Sequence, residues 1–74
     1  MQMEEILVFK TNVVQGTDLA ALSELLNINR GVKSWNFDFQ DSDNIFRVVS
    51  NGITSDEVST ILAFCNIQAK ELLD

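Results

Sequence analysis

Histidine is absent from this chain, cysteine occurs once, and no apolar run is long enough to cross a bilayer. Each absence removes a class of function. Without histidine there is no imidazole to activate a serine or threonine nucleophile and no nitrogen ligand for a metal staple. With Cys65 alone no internal disulfide can form, so packing must supply the stability. The longest early apolar run, Ile6 to Phe9, follows an acidic start and no small-residue cleavage site, which predicts a strand rather than a signal peptide. No segment approaches the ~20 apolar residues of a membrane span, and Asn-x-Ser/Thr acceptors are missing, so a cytoplasmic protein without membrane contact is expected.

Basic residues are also scarce. Lys10, Arg30, Lys33, Arg47 and Lys70 stand against eleven acids, giving a net charge of −6 and a pI near 4.3. Such a chain repels phosphate backbones, which argues against nucleic acid as a partner. The three glycines, Gly16, Gly31 and Gly52, are too dispersed to form a phosphate-cradling loop. What remains is a chain 46% hydrophobic and 22% charged, the composition of a folded domain. Its 74 residues allow a single domain over 1–74 and no buried catalytic cleft.

The patterning predicts six elements. Ile6 to Val14 is β-branched and aromatic, a first strand. Leu19, Leu22, Leu25 and Leu26 recur at helical spacing, predicting a helix over Asp18 to Asn29 with Thr17 as N-cap and Asn29-Arg30-Gly31 as its end. Val32 to Phe39 alternates, with Trp35, Phe37 and Phe39 on one face and Ser34, Asn36 and Asp38 on the other. Gln40 to Asn44 is turn-prone, and Ile45 to Ser50 completes a hairpin. Thr54-Ser55-Asp56-Glu57 matches a capping box, opening a helix whose buried stripe is Val58, Ile61, Leu62 and Cys65. Asn66 suits a left-handed C-terminal position, and Ile67 to Leu73 forms a short last strand. The order βαββαβ, with right-handed crossovers, predicts an α+β, ferredoxin-like fold: a four-stranded antiparallel sheet with two helices on one face.

Two segments carry a family likeness. Gly31-Val32-Lys33-Ser34-Trp35-Asn36-Phe37-Asp38-Phe39 resembles the Gly-Val-x-x-Val-x-Val-x-Leu stretch of the heavy-metal-associated domain, the family of small copper chaperones and metal-pump modules. Cys65-Asn66-Ile67-Gln68-Ala69-Lys70-Glu71-Leu72 is similar to that family's Ala-Gly-Tyr-x-Ala ending, with Ile67 in the tyrosine slot. Counted back from Gly31, the family's Met-Thr-Cys-x-x-Cys loop falls on Val13-Val14-Gln15-Gly16-Thr17-Asp18. Both cysteine positions are empty, occupied by Gln15 and Asp18. Copper(I) needs sulfur ligands, so the resemblance implies the fold and a tendency to domain contacts but no soft-metal site.

The remaining candidates have plain structural roles. Cys65 on an apolar stripe reads as a small hydrophobe, and Asp18 as a first-turn acid facing the helix dipole. Asp38, Asp41, Asp43 and Asn44 lack the glycine and closing glutamate of a calcium loop and read as a solvated hairpin tip. Exposed acids without a pocket give no acid–base pair, so the chain is read as no enzyme, with no cofactor. If Leu7, Phe9, Trp35, Phe37, Phe46 and Val48 face the helices, then Ile6, Val8, Ile45 and Val49 face away and form an association surface for a protein partner or a second copy. Two alternatives stand beside this reading. One is a weak metal carrier using Gln15 and Asp18, and the other is a small-effector module like the amino-acid-binding ACT domains, which share the βαββαβ order.

Overall fold

The computed structural model describes residues 4–40 and 42–73. Its elements are β1 (Glu5–Thr11), α1 (Ala20–Asn27), β2 (Val32–Asp38), β3 (Ile45–Ser50), α2 (Ser55–Phe64) and β4 (Ala69–Glu71). The strands lie in the order β2-β3-β1-β4, and each neighbouring pair is antiparallel. This is the expected ferredoxin-like α+β fold. Each βαβ half leaves a gap of one strand, and the other half fills it.

The register assigns the two sheet faces. Leu7 and Phe9 of β1 sit opposite Val48 and Phe46 of β3, and Trp35 and Phe37 of β2 sit opposite the same two residues. Leu7, Phe9, Phe46 and Val48 are buried against Leu22 and Leu26 of α1 and Val58 and Leu62 of α2, with Ile53 completing the core. Both helices therefore cover this inner face. Phe46 lies at its centre, stacked on Phe37 at 4.6 Å and edge-on to Trp35 at 6.1 Å.

One irregularity adjusts the pattern. Strict alternation would put Val32 on the same face as Ser34, away from the helices, yet Val32 packs against the core. A bulge between Val32 and Ser34 inserts the extra residue that turns Val32 inward. Two further joints lock the halves together. The Gly31 carbonyl accepts from the backbone N–H groups of Asn51 (2.7 Å) and Ile53 (3.2 Å), and the buried Ser50 hydroxyl donates to the Ile53 carbonyl at 2.6 Å.

Several boundaries differ from expectation. β1 stops at Thr11 because its buried hydroxyl turns to the Asn44 carbonyl (2.7 Å) and, at the next rung, the Gln68 N–H donates to the Asn12 side chain in place of its backbone carbonyl. α1 begins at Ala20, and Thr17 is not its cap. The Thr17 hydroxyl accepts from the Val14 N–H at 3.2 Å, leaving Asp18 to accept the Ala20 N–H at 3.0 Å. β2 ends at Asp38, and β4 is confined to Ala69–Glu71. The α2 capping box is present as read, β3 spans the expected residues, and Asn66 adopts the left-handed conformation at φ 60°.

Candidate functional site

The segment Val13 to Asp18 connects β1 to α1 through a tight turn. Val13 is buried and anchors it. Val14 to Thr17 make a turn in which the Thr17 N–H donates to the Val14 carbonyl at 3.0 Å, and Gly16, at φ 97°, takes the conformation that a side chain would strain. The Asn12 side chain clasps the α2–β4 connection by accepting from the Gln68 N–H at 3.1 Å.

Gln15 and Asp18 do not share a site. Asp18 lines a cleft of ≈ 400 Å³ with Val13, Leu22, Phe64, Cys65 and Ile67, between the β1–α1 loop and the end of α2. Gln15 lines a separate hollow beside Phe37, Phe39 and Arg47 at the β2 edge. Among the described residues no three Cys, Asp or Glu side chains gather as a metal centre would require. Cys65 is half-buried and packed against the core, as its place on the α2 stripe suggests, and it also lines the Asp18 cleft, which no spacing rule could reveal.

The hairpin acids have structural partners. Asp38 pairs with Arg47 at 3.6 Å and accepts the Gln40 N–H at 3.0 Å, while Asp43 pairs with Lys10 at 3.3 Å. Asp41 lies outside the described residues. Trp35 is half-buried, with its indole N–H donating to the Asn27 side-chain carbonyl oxygen at 3.1 Å. It packs on the core rather than standing out as an exposed anchor.

The outer sheet face is the remaining candidate. Among the described residues, no element covers it. Across it run the rows Ser34–Val49–Ile6, Asn36–Arg47–Val8 and Asp38–Ile45–Lys10–Lys70, fixed by the strand register. Ile6 is 65% exposed, and Val8 and Val49 are half-buried. Ile45 differs from the expectation: at 4% exposure it offers no contact surface. The bond from Thr11 to Asn44 and the Lys10–Asp43 pair draw the hairpin end onto β1 and close Ile45 off. Leu72 takes its place. Its N–H donates to the Val8 carbonyl at 2.8 Å, extending the β4 ladder, and two residues beyond Lys70 its side chain, 40% exposed, lies on the same face. The pairing of β4 with β1 was needed to place it there.

Ion pairs frame this strip. Lys33 and Glu4 pair at one end, with Arg47–Asp38 and Lys10–Asp43 at the other. Neither helix carries a lysine or arginine. The chain matches no family model, and comparison with the curated proteins and the solved structures found no match. No helix of the described residues is long and apolar enough to cross a membrane.

Proposed function

We propose that this chain is a non-catalytic binding or regulatory module, built on a scaffold like the heavy-metal-associated domain but without its cysteine site, that acts by protein contact through its outer sheet face. One observation carries the reading: both helices cover one side of the sheet, while the other side presents Ile6, Val8, Val49 and Leu72 to solvent. An apolar strip rimmed by polar groups is the usual form of an association surface. The unpaired Cys65 fits a reducing compartment, in keeping with a cytoplasmic setting. The weak-carrier alternative has less support, because Gln15 and Asp18 line different hollows.

The test compares the wild-type chain with an Ile6→Asp/Leu72→Asp variant, both sites being exposed enough to accept the charge. Each is immobilised and presented with the soluble extract of the host and with free wild-type chain. Protein retained by the wild type and lost by the variant, at unchanged circular dichroism, is the expected result. Equal retention by both, or heat on micromolar titration with Cu(I), Zn(II) or Cd(II), contradicts the reading.

A further inference from the structure

The charges on the molecule are sorted by layer. Among the described residues on or beside the outer face, Lys10, Lys33, Arg47 and Lys70 stand against Glu4, Asp38 and Asp43, so their charges sum to within one of neutral. Glu24 of α1 and Asp56 and Glu57 of α2 have no basic residue on either helix to offset them, and the whole chain carries −6. Two copies approaching through their helical layers repel each other. Approach through the outer faces avoids that cost and covers the aliphatic strip.

The register also defines how two such faces fit. A two-fold axis parallel to the strands, between β1 and β3, keeps each row level and reverses the strand order, so β4 of one copy lies over β2 of the other. Ile6 then meets Val49 of the second copy, Val8 meets the aliphatic stem of Arg47, and Lys70 meets Asp38. By symmetry each contact occurs twice. The other in-plane axis, perpendicular to the strands, lays Arg47 over its own copy and brings like charges together.

From these observations we infer that the occupant of the outer face is a second copy of this chain, stacked sheet on sheet about an axis parallel to the strands, with Lys70 and Asp38 paired across the interface. The inference rests on the protein-contact reading above and names the partner. Its size sets its strength. Strands of seven, seven, six and three residues, ~4.8 Å apart with ~3.4 Å per residue, give roughly 375 Å² of face per copy. Both copies together bury less than the ~1,200 Å² at the low end of stable interfaces, so the dimer dissociates on dilution.

Sedimentation equilibrium from about 10 μM to about 1 mM tests the inference over the range in which a weak dimer populates. The wild-type mass should rise from monomer toward dimer across the series. Ile6→Asp should abolish the rise. Lys70→Glu and Asp38→Lys should each weaken association by about tenfold or more, and the two reversals in one chain should restore it to within a few fold of wild type, since the exchanged charges again face opposite partners on the other copy. Circular dichroism and thermal melting of each variant separate lost association from lost folding, and Ile6→Asp reads the face without touching the Asp38–Arg47 pair. A wild type that stays monomeric at the highest concentration overturns the inference. A double reversal that remains as weak as the single changes also overturns it, because the pairing is then wrong. If the wild type stays monomeric while Ile6→Asp/Leu72→Asp still loses a host protein, the second copy is excluded and the protein-contact reading survives.

Discussion

At the residue scale, the junction around Gly31 shows how narrow the tolerance is. A Cβ built there falls 2.7 Å from the Ile53 backbone nitrogen and 3.1 Å from the Ile53 Cβ, and that nitrogen donates one of the two bonds that the Gly31 carbonyl accepts, so it cannot move away freely. Glycine is needed for close approach, not for an unusual dihedral angle. Gly31→Ala should therefore cost about 1–3 kcal/mol, the range of an overpacked core position. A chain of this length holds only about 4–11 kcal/mol in total, so urea unfolding at equilibrium will resolve the loss as a lower midpoint. A midpoint within error of the wild type would show that the junction yields. The Gly31 requirement was legible only as a helix stop, because the partner it touches, Ile53, lies beyond the whole β2–β3 hairpin.

At the scale of elements, the parts read correctly are those whose signals are local. The capping box at Thr54 and Glu57 is complete, with the Glu57 N–H donating to the Thr54 hydroxyl at 3.2 Å and the Glu57 carboxylate accepting the Thr54 N–H at 3.2 Å. Thr54→Ala removes one half of it and should destabilise the chain by about 1 kcal/mol, a fall of roughly 4–8 °C in Tm by calorimetry. No fall in Tm would mean that solvent replaces the cap. Elements set by distant contacts were read less well. β1 ran too long on paper because Val13 and Val14 continue the β-branched run, while Thr11 and Asn12 are recruited by Asn44 and Gln68. The bulge in β2 left no mark in the alternation of Trp35, Phe37 and Phe39, and only the inward turn of Val32 reveals it. Neither capping role expected of Thr17 and Asp18 is filled: Leu19 stands at the N-cap without a side-chain bond, Thr17 is engaged in the preceding turn, and Asp18 lies ahead of the first turn, where it accepts the Ala20 N–H.

At the scale of the whole molecule, two short helices and a four-stranded sheet leave one face of the sheet uncovered among the described residues. The sequence pattern identified three of the four aliphatics on that open side. It missed the closure of Ile45 by the hairpin and the arrival of Leu72 from β4, both of which follow from which strands are neighbours. The segregation of charge is likewise invisible along the chain, where the five basic residues look scattered. Folding gathers Lys10, Arg47 and Lys70 on one side, and the proposed contact between copies depends on this gathering. The direct measurement is a filtered NMR experiment on a mixed sample of isotope-labelled and unlabelled chain at about millimolar concentration, reading contacts that pass only between copies. Intermolecular signals from the methyl groups of Ile6, Val8, Val49 and Leu72 are the expected result. Signals confined to Phe64 and Ile28 on the helical side, or none at that concentration, would contradict a dimer built on the outer face.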